Sequence, residues 1–369
     1  MTVRDVQQII EEWAPPDTAM ERDNVGLQVG DPLSRVRGIL VALDVTGSAI
    51  EEAGRRRANM IVSHHPLLFH PLHAITPRNH VSRCAIALVR KRIALFSAHT
   101  NLDAARGGTS FALASALGLV VRDFLQTPAR QMNKIVTFVP PTHVEAVARA
   151  MEDAGAGKIG AYDGCSFRTS GTGTFQGKKT SHPAVGRQGK REDVPEVRIE
   201  MILPRHKADA VIQSLQKAHP YEEVAYDLYP LDNSAAEYGM GAVGELAHPV
   251  PLRSFLGAVR KALAIPAPKY CGNPRQTVRR VAVCGGSGGD LLDLAVAAGA
   301  DVFVTADLRY SSFHDAEGRI ALVDAGHYET EFPVVPAIVT RLRREFRRRG
   351  VSAPVAAARS TNPVRYCLT

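Results

Sequence analysis

The sequence predicts an α/β protein: a duplicated α/β domain in two halves with mixed sheets, interrupted by a ferredoxin-like α+β insert. Three observations carry this. Apolar strand-like runs alternate with helical stretches up to residue 127. The pattern then breaks, and residues 128–238 follow a β-α-β-β-α-β order. It resumes afterwards with a near-copy of an earlier segment. Arg92-Ile93-Ala94-Leu95-Phe96-Ser97-Ala98-His99 is echoed by Arg319-Ile320-Ala321-Leu322-Val323-Asp324-Ala325-Gly326-His327. The predicted domains are residues 1–127 and 239–369, two halves of one α/β domain, and the insert 128–238.

In chain order, residues 3–13 read as a short amphipathic helix and 23–30 as a turn-rich loop. A buried strand over 38–44 ends in Asp44, and Thr46 caps the helix 47–57. The run Ile61-Val62 leads into Ser63-His64-His65-Pro66, where proline removes a ladder donor and stops the strand. A helix near 81–91, a strand over 92–99, a loop over 100–108 and a helix through Leu117 complete the first half.

The insert reads as strand 134–140, helix 142–154, a Gly-rich stretch 162–177, an exposed loop 178–195, strand 197–203, helix 206–218 and strand 224–229. In the second half come strand 280–284, a glycine loop from Gly285 to Gly289, a helix over 291–298 and strand 301–307. The glycine loop fits neither G-x-G-x-x-G nor the P-loop spacing. A tight turn is the better reading than a phosphate cradle.

Composition bounds the function. The chain has 369 residues, 45% hydrophobic and 22% charged, as in ordinary globular proteins. No apolar run approaches the roughly 18 residues that span a bilayer. The opening Met1-Thr2-Val3-Arg4-Asp5-Val6 interleaves charge with apolar residues and is not a signal peptide. Five scattered cysteines (Cys84, Cys165, Cys271, Cys284, Cys367) never adopt C-x-x-C spacing. Together these predict a reducing, cytoplasmic setting and no thiolate metal site. The net charge of +8 is concentrated partly in residues 341–349. That run reads as a solvated helix end complementing the helix dipole. No base-reading motif accompanies it, so nucleic acid is not a predicted partner.

Four strand ends supply candidate ligands: His64-His65, His99 with Asp103, Asp307, and His327 with Glu331. If a helix starts at His327, the i, i+4 spacing puts His327 and Glu331 on one face. Imidazole and carboxylate without thiolate suit zinc, iron, manganese, cobalt or nickel. Even three of these histidines with two of the carboxylates exceed one closed tetrahedral site and match two bridged ions with positions left for water. His70, His73 and His80 read as loop residues.

These motifs carry a resemblance. Asp23-Asn24-Val25-Gly26-Leu27-Gln28-Val29-Gly30, Ser63-His64-His65-Pro66-Leu67, His99-Thr100-Asn101-Leu102-Asp103, Gly326-His327-Tyr328-Glu329-Thr330-Glu331 and Ser360-Thr361-Asn362-Pro363-Val364 resemble the NGG-interacting-factor-three-like family. These are dinuclear-metal proteins often labelled GTP cyclohydrolase I type-two homologues. The resemblance implies two divalent ions per subunit held by His64, His65, Asp103, His327 and Glu331. It places His99 as a neighbouring, substrate-facing group, here given the catalytic role of general acid or base. It further implies a toroidal homohexamer and, for 134–231, an insert similar to CutA and PII-type proteins.

The chain departs from the family at Ala306-Asp307-Leu308-Arg309-Tyr310-Ser311, where Ser311 replaces a usual cleft histidine and His314 is displaced. The function expected is a metal-dependent hydrolase of an anionic, nucleotide-like or phosphorylated small molecule. A non-catalytic metal-binding or regulatory scaffold stays open as the alternative.

Overall fold

The structure, a computed structural model, describes residues 1–127, 131–233, 237–359 and 362–365. Ser360, Thr361 and Cys367, singled out above, lie outside the described residues. The chain divides into two units, Met1–Thr127 with Glu237–Thr369, and Pro128–Ala236. The second junction falls just ahead of the one read from the sequence.

The first unit begins with α1 (Val3–Glu11), opened by a capping box in which Thr2 and Asp5 bond each other's backbone N–H. Next come β1 (Gly26–Val29), β2 (Ile39–Ala42), α2 (Gly47–Arg55) and β3 (Met60–Ser63). Then follow α3 (His80–Lys91), β4 (Ala94–Ser97), α4 (Thr100–Asp103), α5 (Thr109–Ala116) and β5 (Val120–Asp123). Thr46 caps α2, its Oγ1 accepting from Ala49 N at 3.2 Å. Asn79 caps α3 in the same way, so His80 begins a helix instead of sitting in a loop. Strands β2, β3 and β4 pair in parallel and are buried along their length, which is why they read as unbroken apolar runs.

The second unit contains β6 (Met132–Val139), α6 (Val144–Asp153), β7 (Phe167–Gln176), β8 (Arg191–Pro204), α7 (Ala208–Ala218) and β9 (Tyr226–Leu231). Its sheet runs β7-β8-β6-β9, antiparallel throughout. Ile135, Val139, Ile199, Met201 and Leu203 alternate onto the face covered by α6 and α7. The loop expected over 178–195 is shorter, because β8 starts at Arg191 and pairs with β7 as far as Gln176↔Arg191. This hairpin arm is mostly exposed, so its charged sequence shows no apolar alternation. Pro195 lies where β8 pairs on one side only, the place a strand tolerates proline.

After the insert the first unit continues. It adds β10 (Ala242–Pro251), α8 (Leu252–Ala262), β11 (Lys269–Cys271), β12 (Thr277–Ser287), α9 (Leu292–Ala297) and β13 (Val302–Ala306). It ends with α10 (Tyr310–Ala316), β14 (Ala321–Asp324), α11 (His327–Glu331), α12 (Val334–Arg348) and β15 (Val355–Ala357). Two mixed sheets result, β1-β4-β3-β2-β15 and β11-β14-β13-β12-β10-β5. The two copies of R-I-A-L open β4 and β14. Each of these is parallel to its inner neighbour and carries an antiparallel edge strand, β1 or β11.

Side chains alternate across each sheet. Val41, Met60, Val62 and Phe96 face α1 and α12, while Leu40, Ile61 and Leu95 face α2 and α3. The second sheet likewise faces α5 and α8 on one side and α9 and α10 on the other. The end of α12 is exposed at Arg344, Arg347 and Arg348, as read, while two arginines before it are tied down. Arg341 lies 4.6 Å over the Trp13 ring, and Arg343 donates to Val355 O at 2.7 Å. No helix among the described residues is long and apolar enough to cross a membrane.

Candidate metal centre

The parallel strands of the first unit deliver their polar residues at their carboxyl ends, where open α/β sheets gather ligands. Past β3 two consecutive amides bond the neighbouring segment, His64 N to Ala42 O at 3.1 Å and His65 N to Leu43 O at 2.9 Å, so the strict alternation of the strand ends there. His99 follows β4, and Asp103 ends the one-turn helix α4. His327 begins α11 directly after β14, reached through Gly326 at φ 85°. Glu331 lies one turn on and is 4% exposed.

All six of these residues converge. His64 Nε2 is 3.6 Å from Asp103 Oδ1 and 3.8 Å from Glu331 Oε1. On its other oxygen, Glu331 Oε2 is 2.8 Å from His65 Nε2 and 3.2 Å from His327 Nε2. The His99 ring lies 5.4 Å from that of His64 and 5.6 Å from that of His65. Two groups of donor atoms are compact enough for an ion: His64, His65 and His99, and His65, His327 and Glu331. Asp103 reaches the first group through His64.

Each imidazole is fixed from behind. His64 Nδ1 bonds Ala98 O at 2.9 Å, and His65 Nδ1 bonds Asp44 at 2.8 Å. His99 Nδ1 bonds Asp23 at 2.9 Å, and His327 Nδ1 bonds Asp307 at 2.7 Å. A carbonyl or carboxylate only accepts, so every Nδ1 carries a proton and every Nε2 is left to the shared cavity.

The charges are strongly coupled. Burial opposes protonation of His65, yet Asp44 and Glu331 push its pKa up to about 10. Glu331 above all, with Asp307, raises His327 to about 9. His64 is also raised: Asp103 and Glu331 outweigh its burial. Glu331 is held well below the usual carboxylate range, because His327, His64 and His65 prevail over its burial. Burial raises Asp103. The site therefore draws positive charge into a buried space.

The sequence matches the Duf34/NIF3 (NGG1p interacting factor 3) family over residues 1–363. The chain belongs to this family. A "GTP cyclohydrolase 1 type 2 homolog" of Halalkalibacterium halodurans is 39% identical over 324 residues, covering 87% of each chain. One of the same description from Mycobacterium tuberculosis is 38% identical over 363 residues, covering 96% of this chain and 94% of the relative. Among solved structures, a Bacillus cereus protein related to NIF3 superposes with TM-score 0.86 at 38% identity, covering 100% of this chain and 99% of that one.

The residues of this Duf34/NIF3 chain fit divalent ions. Buried polar groups normally find partners. Here His64 Nε2, Asp103 Oδ1 and Glu331 Oε2 are buried, clustered and without a hydrogen bond. The close approach of His65 Nε2 to Glu331 Oε2 is within ion-pair range but lacks hydrogen-bond alignment. Such atoms are left without a partner inside the cluster of donor groups. The donors are nitrogen and oxygen, as zinc, iron, manganese, cobalt and nickel accept. Cys284, which feels the Asp103 and Glu331 charges, is buried, and burial pushes its thiol up to about 12, so it offers no thiolate.

Asp307, read as a candidate ligand, instead holds His327. Ser311 is exposed on α10, and His314 pairs with Tyr310 and Glu317 away from the cluster. His80 bonds Val45 O. Sequence reasoning missed the roles of Asp23 and Asp44. Asp44 was findable: with Ala42↔Ser63 in parallel register, it stands beside His65. Asp23 opened one of the family-like motifs, but nothing local tied it to His99.

Proposed function

We propose that this protein is a metal-dependent hydrolase of nucleotide-like or phosphorylated anionic small molecules. In this reading two divalent ions are held by His64, His65, Asp103, His327 and Glu331. The observation that carries it is the convergence of buried, unpartnered His64 Nε2, Asp103 Oδ1 and Glu331 Oε2 on one space. Divalent ions held there would supply Lewis acidity and a water acidic enough to attack near neutral pH.

The side chains do the rest. Glu331, with one oxygen toward His64 and the other toward His65 and His327, would hold ions on both sides. Its charge and that of Asp103 would offset the mutual repulsion of two cations. Asp23 fixes the His99 tautomer, so His99 moves protons through Nε2 at the edge of the cluster. The +8 net charge favours an anionic substrate. GTP is the specific candidate suggested by the relatives' descriptions.

The test is a panel of nucleotides, GTP included, and phosphoesters with each divalent metal, run alongside elemental analysis. Turnover that vanishes in Asp103→Asn, with about two ions per loaded chain, supports the reading. Saturation at one ion removes the dinuclear part.

A second reading, a metal-binding regulatory scaffold, is favoured by one observation: Ser311 stands where the family's cleft histidine is usual. Two bound ions without turnover on any of the panel would select it. The toroidal hexamer and the CutA- or PII-like character of residues 134–231 belong to either reading. Mass measurement in solution of the full chain, and of the insert alone, tests them.

A further inference from the structure

The glycine loop sits against the metal centre but offers it no phosphate cradle. Three of its N–H groups are already taken. Gly285 N donates to Ser110 Oγ at 3.3 Å, Gly286 N to Thr330 Oγ1 at 3.0 Å, and Gly288 N to Thr305 Oγ1 at 2.9 Å. Thr305 Oγ1 returns a bond to Gly286 O at 2.9 Å. The segment is a bulge: between Val283↔Val304 and Ser287↔Ala306, β12 spends more residues than β13. Such bulges recur beside active sites, where they re-aim the chain.

What the bulge meets is Glu331. A Cβ placed on Gly286 would overlap Glu331 Oε1 and come within 3.4 Å of His327 Cε1. On Gly285 a Cβ would come within 2.6 Å of Thr109 Cγ2 and 3.6 Å of Glu331 Cγ. Thr330, which accepts from Gly286 N, belongs to α11 and bonds Gly326 O at 2.8 Å. The bulge is thereby fastened to the helix that carries both His327 and Glu331.

We infer that the Gly285–Gly286 bulge is a mould for the Glu331 carboxylate, and that Gly286 is a positioning residue of the metal centre. The inference rests on the metal-centre reading above. Only hydrogen at Gly286 leaves room for Oε1 to turn toward His64 while Oε2 stays with His65 and His327. A methyl there displaces one oxygen and so one cation.

Gly286→Ala must be separated from ordinary backbone strain, since Gly286 has φ +65°. Gly299 supplies the control: it has φ +67°, and nothing lies within 4 Å of a Cβ built on it. The experiment loads wild type, Gly286→Ala and Gly299→Ala with cobalt(II). It records stoichiometry, affinity and the visible absorption of the bound ion, with circular dichroism as the check on folding. Gly286→Ala is expected to lose at least tenfold in affinity for one ion and to alter the cobalt spectrum, while Gly299→Ala matches wild type.

A folded Gly286→Ala with wild-type affinity and spectrum overturns the inference and leaves the metal reading standing. If Gly286→Ala does not fold, Thr330→Val decides. It frees the bulge from α11 without adding bulk, and unchanged cobalt affinity and spectrum in that variant overturn the inference. A wild-type chain that binds no cobalt, zinc, iron, manganese or nickel overturns the metal reading beneath it, and this inference with it.

Discussion

Asp23→Asn is the sharpest test of how His99 works. The Asp23 side chain is 2% exposed and accepts from His99 Nδ1, Thr100 N and Thr100 Oγ1. Burial works against its charge, but the bonds from His99 and Thr100 hold its pKa well below the usual carboxylate range. An amide keeps the shape and one acceptor oxygen. Both Thr100 donors need that oxygen, so the new NH₂ turns toward His99 Nδ1. The ring must then accept at Nδ1 and carry its proton on Nε2, the wrong tautomer for taking a proton in the cleft. The expected cost in turnover is that of a lost general base, roughly 10²–10⁴-fold.

Metal content should hold, since His64, His65 and His327 keep their own Nδ1 partners. Stability should fall by about 1.5–3 kcal/mol, the scale of a hydrogen bond to a charged group. The sign with pH follows from the depressed pKa. The wild-type carboxylate contributes stability above its unfolded value near ~3.9, and that contribution is lost as pH falls through the lower folded value. The gap between variant and wild type is therefore full near neutrality and narrows in acid. Turnover assays, elemental analysis and urea melts at several pH values check each part. Wild-type turnover in Asp23→Asn would refute the proton-transfer role. Loss of one ion would instead make His99 a ligand.

Three further outcomes follow from the same cluster. Asp103→Asn and Glu331→Gln should lose metal and turnover together, whereas His99→Ala should lose turnover by roughly 10²–10⁴-fold with both ions kept; metal loss in His99→Ala but not in Asp103→Asn would reverse the assignment. Metal binding should release protons, because without metal His65 titrates at about 10 and His327 at about 9, so apparent affinity rises with pH toward that range. Calorimetry in buffers of different ionisation enthalpy measures the release, and proton-neutral binding at pH 7 would contradict it. In the metal-free chain the stability from these two raised histidines is fully present below about 6.5 and is lost as pH rises through 9 to 10.

What could be read from the sequence depended on whether the signal was local. The buried parallel strands announced themselves as apolar runs, and His327 with Glu331 as an i, i+4 pair on one short helix. Adjacent His64 and His65 project into one cleft because strand alternation relaxes past Ser63, at Pro66. The β7–β8 hairpin was only partly legible, since an arm exposed on both faces needs no apolar side. Asp23 was illegible as a partner of His99 because the two meet only through the tertiary fold. The solvated end of α12 was legible, since Arg344, Arg347 and Arg348 are exposed, but Arg341, in mid-helix, looks the same in sequence whether it meets water or a tryptophan ring.

The position of the insert bears on its separability, and here the structure sharpens the expectation. Residues 128–236 leave the first unit between β5 and β10, which are antiparallel neighbours in one sheet. The flanks meet before the departure: Gln126 N bonds Met240 O at 2.9 Å, and Met240 N bonds Gln126 O at 2.7 Å. Gly239 N bonds Ala104 O at 2.8 Å, and Tyr238 bridges Ala105 and is 8% exposed. Tyr238 is therefore part of the first unit, and a deletion drawn through 238 would damage its core. A deletion of 128–236 closed by a short Gly/Ser linker replaces the insert by an ordinary hairpin connection. Loop-closure cost grows by only about 0.6 kcal/mol per doubling of length, so shortening the connection should slightly favour folding. All six residues of the cluster and all four Nδ1 partners lie outside the deleted span. The shortened chain should fold and bind as many ions as the full one, measured by circular dichroism and elemental analysis. Loss of the metal in a chain that folds would show that the insert shapes the site.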